Sequence, residues 1–146
     1  MSEKFKVLSD RFWVAPQIAP ADAAEAAKEG VTLIVNNRPD GEAPGQPKSA
    51  EIAKAAADAG LAYVHIPVDG SGISPGHISA LKKALEENKD GKVLAFCRSG
   101  TRSTILRAYL QASEGRAPED IIAEAAAAGY DISGHAPALR ALSSAA

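Results

Sequence analysis

The chain has 146 residues, of which 46% are hydrophobic and 23% charged, and 16 basic and 18 acidic residues leave a net charge of −2. These values predict one globular domain spanning residues 1–146 and argue against a strongly basic surface for nucleic acid. No apolar run approaches the about 18 residues of a membrane span, and the N-terminus lacks the apolar core of a secretory signal, so we expect a cytoplasmic protein with no membrane partner.

Strand and helix patterns alternate through the first half of the chain. The segments Phe5–Leu8 and Phe12–Val14 are expected to form a short hairpin or an edge pair. An alanine-rich helix is predicted over Pro20–Glu29, because proline suits the first turn of a helix. The apolar, β-branched run Val31–Val35 predicts a buried strand. A loop rich in proline and glycine then leads to a second helix, predicted from a Ser49 N-cap to Gly60.

The second half continues the alternation. Pro67 places the end of the next strand, Ala62–Val68, at the edge of the sheet or outside it, because proline cannot donate a ladder hydrogen bond. A helix over Ser74–Glu87 and a strand over Lys92–Phe96 follow. Further helices are predicted after Arg102, over Glu119–Ala128 and over Pro137–Leu142. This order predicts an α/β fold, a single domain with a parallel-dominated central sheet flanked by helices.

The only cysteine, Cys97, directly follows the apolar strand and opens a loop with the sequence CRSGTRS that runs into a helix. A helix N-terminus presents free N–H groups and the positive end of the helix dipole, so it binds anions. Gly100 allows successive N–H groups to turn inward and form an oxyanion nest. The guanidinium of Arg102 suits two oxygens of a phosphate or similar group. We therefore predict an oxyanion site built from Arg98, Ser99, Gly100, Thr101 and Arg102.

The same positive field favours the thiolate of Cys97, which is the nucleophilic form. A cysteine at the end of a buried strand is often a small core residue. That interpretation does not explain the glycine, the two arginines and the hydroxyls that follow Cys97, so we predict a catalytic nucleophile. Ser103 is expected to hydrogen-bond the sulfur, and Arg98 is expected to point outward and attract the anion.

Other polar residues follow the strand that precedes the first long loop. Asn37 and Arg38 lie where α/β sheets place ligand sites, so they are expected to support the loop or contact substrate. Arg38 fits a surface position equally well. Asp40 and Glu42 are expected on a solvated loop. The alternative is that one of them is a second acidic residue near the cleft. The three histidines show no metal-ligand spacing with one another or with Cys97, so neither a metal nor a cofactor is expected.

The CRSGTRS loop resembles the active-site loops of cysteine-dependent phosphatases and of rhodanese sulfurtransferases. The likeness extends over about Leu8 to Ala128. The combined segments resemble the phosphatase-like domain of bacterial β-lactamase-hydrolase-like proteins, a distant relative of dual-specificity phosphatases. The resemblance implies a cysteine-dependent phosphatase-like fold, and it is carried by Phe12–Ile18, Ile34–Glu42, Pro44–Pro47, His65–Val68 and Cys97–Ser103.

By position, the resemblance implies that Cys97 is the nucleophile and that Arg102 clamps the oxyanion. It implies that Ser103 matches the hydroxyl that follows the arginine in dual-specificity phosphatases, and that Asp69 matches their general acid. Asp69 is also typical of a simple turn residue. One feature departs from the phosphatase pattern, because four residues rather than five separate Cys97 from Arg102, which is the rhodanese spacing.

Two reactions and one binding role therefore stay open. In a phosphatase-like hydrolase, Cys97 attacks a phosphorylated substrate and Asp69 protonates the leaving oxygen. In a sulfurtransferase, Cys97 accepts sulfane sulfur from a thiosulfate or persulfide donor, and no general acid is required. A non-catalytic module that binds a small oxyanion or a phosphoprotein is the third alternative.

Overall fold

The central sheet has five strands in the order β1-β2-β5-β3-β4. The computed structural model describes residues 2–146. Strand β1 pairs antiparallel with β2, as the predicted hairpin requires, and all other neighbouring strands are parallel. The predicted α/β fold with a mostly parallel sheet is confirmed. The strands are β1 (Lys6–Ser9), β2 (Phe12–Ala15), β3 (Val31–Asn36), β4 (Ala62–His65) and β5 (Lys92–Phe96).

Helices cover both faces of the sheet because alternate side chains of each strand point to opposite faces. In β5, Leu94 and Phe96 join the core beneath α1 and α2, whereas Val93 and Ala95 join the core beneath α3 and α4. Helices α5 and α6 pack on α4 in a third cluster. The helices are α1 (Pro20–Lys28), α2 (Ser49–Asp58), α3 (Pro75–Glu87), α4 (Thr101–Ser113), α5 (Pro118–Ala127) and α6 (Ala136–Ala145). Among residues 2–146, none of the helices combines the length and apolar character needed to cross a bilayer.

Several predicted boundaries differ from the structure, and three of them concern segments near the site. Strand β4 ends at His65, two residues before Pro67, so the predicted continuation to Val68 is wrong. Ser49 is the first residue of α2 rather than its N-cap, and its N–H donates to the Asp40 carboxylate at 2.8 Å. The helix predicted after Arg102 already begins at Thr101, inside the loop itself.

The carboxyl ends of β2, β3, β4 and β5 lie along one edge of the sheet because these strands are parallel. Backbone hydrogen bonds join the segments that leave these ends. The Asn37 N–H donates to the Phe96 carbonyl at 2.8 Å, and the Val68 N–H donates to the Asn37 carbonyl at 2.9 Å. All the sequence-predicted site residues lie on these segments, so the fold brings them to one place.

Candidate active site

Residues 97–102, called the cysteine loop below, connect β5 to α4. Gly100 has a φ of 94°, in the left-handed region, and its N–H donates to the Cys97 Sγ at 3.1 Å. Such a donor stabilises a thiolate more than a thiol. Within residues 2–146, the N–H groups of Arg98 and Ser99 donate to no protein acceptor. The cysteine loop therefore combines a donor to the sulfur with free donors beside it, which is what an oxyanion site needs.

Cys97 is fully buried at the end of β5. Burial alone fits a core cysteine as well as a nucleophile, so its polar neighbours decide between the two. The sulfur accepts the Gly100 N–H, and the guanidinium of Arg102 lies close enough to respond to it. The hydrogen bonds that Arg102 donates to Glu42 raise the pKa of Arg102, partial burial opposes that effect, and the electrostatic interaction with Cys97 raises it further. These contacts favour the interpretation of Cys97 as a reactive thiol.

Arg102 is held by a carboxylate that contacts only one edge of its guanidinium. The NH1 and NH2 groups each donate to Glu42 at 2.8 Å, and NH1 also donates to the Val68 carbonyl at 2.7 Å. A guanidinium presents a second edge, formed by Nε and NH2, that suits two further oxygens. The glutamate therefore orients Arg102 and leaves this second edge without a carboxylate.

Glu42 is exposed, as the predicted solvated loop requires, and its carboxylate is the second acid that the sequence left open near the cleft. Its carboxylate lies between two arginines, because Arg38 Nε also donates to it at 2.9 Å. Hydrogen bonds from Arg102, and then those from Arg38, lower the pKa of Glu42 to about 2, against an opposing effect of burial. Glu42 therefore carries a negative charge throughout the neutral and weakly acidic range.

Arg38 is a buried residue that holds the carboxylate of Glu42 in place. It is only 4% exposed, so the surface alternative for this residue is wrong. Besides its contact with Glu42, its NH1 donates to the Gln17 side chain at 3.0 Å. The His65 ring lies 2.8 Å from its carbonyl oxygen. These contacts tie the segments after β2, β3 and β4 to the carboxylate that orients Arg102.

Asn37 and Ser103 form a second buried support. The Ser103 hydroxyl donates to the Asn37 side-chain oxygen at 2.8 Å, and the Asn37 amide donates to the Ile66 carbonyl at 2.9 Å. The expectation that Ser103 hydrogen-bonds the cysteine sulfur is therefore not met in this structure. Its position in the first turn of α4 points the hydroxyl at the end of β3 instead. The pair links α4 to the ends of β3 and β4.

Asp69 has the geometry of a turn residue. It is exposed, and its carboxylate accepts hydrogen bonds from the Ser71 hydroxyl at 2.6 Å and the Ser71 N–H at 2.8 Å. These bonds, followed by electrostatic interactions with His77 and Arg102, lower the pKa of Asp69. As placed here, Asp69 accepts hydrogen bonds from Ser71, and its lowered pKa disfavours the protonated form that a general acid needs.

The remaining loop residues lie at the rim. Arg98 is exposed, and its carbonyl accepts the Gln17 N–H at 3.2 Å. The Ser99 hydroxyl donates to the Thr101 hydroxyl at 3.0 Å. Tyr130, which no sequence motif indicated, donates from its hydroxyl to the Ser99 carbonyl at 3.1 Å. Within residues 2–146, no three His, Cys, Asp or Glu side chains are grouped so that they could hold a metal ion.

Comparison with known proteins assigns the family. The family model for the phosphatase-like domain of beta-lactamase hydrolase-like protein matches residues 4–114. The chain belongs to this family. The phosphatase-like domain is 38% identical over 109 residues to the beta-lactamase hydrolase-like protein of Agrobacterium fabrum, a match that covers 75% of the chain and 25% of that protein. The chain therefore spans about a quarter of the length of that curated relative.

Solved structures agree on the fold. A candidate phosphatase of Neisseria meningitidis superposes with a TM-score of 0.84 at 31% identity, over 97% of the phosphatase-like domain and 99% of that chain. The active form of Tk-PTP superposes with a TM-score of 0.76 at 20% identity, over 99% of both chains, a likeness that concerns the fold alone. The domain thus has a phosphatase-like fold, which it shares with both of these structures.

Proposed function

We propose that this domain is a cysteine-dependent hydrolase of phosphate esters. The observation that carries the proposal is the hydrogen bond from the Gly100 N–H to the Cys97 sulfur at the N-terminus of α4, with Arg102 beside it. This arrangement stabilises a thiolate and offers donors to an oxyanion in the same place. The family and the Neisseria meningitidis structure support a phosphoryl group as that oxyanion.

In the first step the Cys97 thiolate attacks phosphorus, so that an S–P bond forms as the P–O bond to the leaving group breaks. The free N–H groups of the cysteine loop and the open edge of Arg102 stabilise the charge on the phosphoryl oxygens. Asp69 gives its proton to the departing oxygen and later takes one from the water that attacks phosphocysteine, which restores the thiolate. For this role Asp69 must exchange its contacts with Ser71 for the substrate.

Sulfur transfer is a second candidate, supported by two observations. Four residues separate Cys97 from Arg102, and the pKa of Asp69 is lowered by Ser71. In this reaction the thiolate attacks the outer sulfur of thiosulfate, an S–S bond forms, and sulfite leaves with the electron pair of the broken bond. An acceptor thiolate or cyanide then takes the outer sulfur and releases the Cys97 thiolate. Neither step needs a general acid.

One protein preparation separates the two reactions. Aryl phosphate is offered in one assay, and thiosulfate with cyanide in another, while mass spectrometry records whether Cys97 gains a phosphoryl group or one sulfur atom. Phosphate release and trapped phosphocysteine are expected, and Asp69→Asn should slow hydrolysis about 10²–10⁴-fold. Thiocyanate formation with aryl phosphate left intact would instead establish sulfur transfer, which Asp69→Asn should leave unchanged.

Cys97→Ser should abolish either activity. Oxyanion binding without turnover of either substrate would indicate the non-catalytic binding module.

A further inference from the structure

Tyr130 contacts the cysteine loop through its hydroxyl group. It follows α5, beyond the residues 4–114 that the family model matches. Its half-buried ring packs against both the core beneath α4 and the cluster formed by α4, α5 and α6. Its hydroxyl donates to the Ser99 carbonyl at 3.1 Å. A Cβ atom added to Gly100 would lie only 2.3 Å from this hydroxyl oxygen, so ring and loop are in close contact.

The Ser99 carbonyl and the Gly100 N–H belong to the same peptide unit. A trans peptide is planar, and its C=O and N–H groups point in opposite directions. Among residues 2–146 no peptide bond is cis. A partner that holds the Ser99 carbonyl on the outside of the loop therefore holds the Gly100 N–H on the inside, where it donates to the Cys97 sulfur at 3.1 Å.

We propose that Tyr130 is a positioning residue whose hydroxyl fixes the orientation of the Ser99–Gly100 peptide and so keeps an N–H donor on the Cys97 sulfur. Without this hydroxyl the peptide keeps only its hydrogen bond to the sulfur, and it rotates more readily because glycine permits a wide range of backbone angles. A rotated peptide turns the Ser99 carbonyl, a negative dipole, toward the sulfur and the oxyanion site. The inference rests on the proposed function only in that Cys97 is the reacting group.

Two further facts agree with this role. Burial, and then the charge of the Cys97 thiolate, raise the pKa of Tyr130, so its hydroxyl keeps the proton that it donates across the working range of an enzyme. No other side chain among residues 2–146 donates to the Ser99 carbonyl. Among residues 2–146, the hydroxyl is therefore the single side-chain donor to the carbonyl of this peptide, whose N–H is held by the Cys97 sulfur.

The test compares Tyr130→Phe with a matched control, Tyr109→Phe. Tyr109 lies on α4 and its hydroxyl is hydrogen-bonded to His135 at 2.8 Å, away from the cysteine loop. Because each variant removes one tyrosine hydroxyl, both have the same background in a thiolate titration followed by absorbance at 240 nm. Cys97→Ser supplies the baseline, since Cys97 is the only cysteine. Thermal melts of all proteins establish that they are folded.

Tyr130→Phe is expected to move the midpoint of the thiolate titration upward by about one pH unit, a shift that partial loss of one hydrogen bond to a charged group produces. Tyr109→Phe should leave the midpoint unchanged. Phosphate should also protect Cys97 of Tyr130→Phe less well against iodoacetamide. Equal midpoints in Tyr130→Phe and the wild type, or the same shift in Tyr109→Phe, would overturn the proposal. The titration needs no substrate, so a wild type without phosphatase or sulfurtransferase activity would refute the proposed function and leave this comparison intact.

Discussion

Two loops at the same edge of the sheet hold the candidate site by different means. The cysteine loop positions its groups through the backbone, because the start of α4 and the left-handed Gly100 direct its N–H groups. The loop of residues 37–48 instead uses side chains, since Arg38 and Glu42 reach across to Gln17 and Arg102. A backbone site is insensitive to mild acid, whereas an ion-pair site depends on the charge of Glu42. The cysteine loop therefore forms the oxyanion site, whereas the loop of residues 37–48 orients Arg102.

Breaking the backbone geometry should have the largest effect. Gly100→Ala forces a Cβ atom into a left-handed backbone and to 2.3 Å from the Tyr130 hydroxyl. We expect the free energy of unfolding to fall by about 1–3 kcal/mol and turnover to fall at least about 10²-fold, because the loop must shift. Thermal or urea melts and steady-state rates measure the two effects.

Gly60→Ala is the matched control for backbone strain. Gly60 also has a positive φ, 81°, but an added Cβ would meet nothing within 4 Å. This variant should lose about 1 kcal/mol of stability and keep its turnover. If both variants lost turnover to the same extent, the contact between Gly100 and Tyr130 would have no catalytic significance.

Removing the ion pair should have an intermediate effect. Glu42→Gln keeps the shape of the side chain but removes the charge that orients Arg102, so kcat/KM should fall about 10- to 100-fold. Glu51→Gln, an acidic residue in the first turn of α2, controls for the loss of one surface carboxylate. Unchanged kcat/KM in Glu42→Gln would mean that neutral acceptors, the glutamine oxygen and the Val68 carbonyl, suffice to hold Arg102 and that the charge of Glu42 is not needed.

Acid should distinguish the same two loops. The pKa of Glu42 is about 2 in the folded protein and 4.5 in its ordinary state, so the unfolded chain binds its proton first as the pH falls. The stability that Glu42 contributes is therefore complete above pH 4.5 and is lost as the pH falls toward 2. Urea melts of the wild type and Glu42→Gln should differ most near neutrality and converge in this acidic window. A constant difference down to pH 2 would show that the charge of Glu42 is not what stabilises the loop.

The contrast between the two loops also explains which site residues could be predicted from the sequence. The helix-capping loop after β5 is a contiguous motif, so Cys97, Gly100 and Arg102 were identifiable from their order alone. Glu42 and Tyr130 reach the site from 55 residues before and 33 residues after Cys97. The sequence named Glu42 only as a loop residue that could be a second acid near the cleft and did not name Tyr130, because their partners are set by which strand ends the parallel sheet brings together. The N-cap of α2 was missed for a similar reason, since the loop residue Asp40 accepts the hydrogen bond from Ser49 at the start of this helix.

The smallest effect is expected at the rim, where Asp69 lies outside both loops. The Ser71 hydroxyl is the first cause of the lowered pKa of Asp69, so Ser71→Ala should raise that pKa toward its usual value. A general acid works only while protonated, and activity is lost as the pH rises through its pKa. The alkaline limb of phosphate-ester hydrolysis should therefore move to higher pH in Ser71→Ala, with little change in the maximal rate. Sulfur transfer requires no proton from Asp69, so an unmoved limb, together with thiocyanate formation, would identify Asp69 as a turn residue and the cysteine loop as a sulfur carrier.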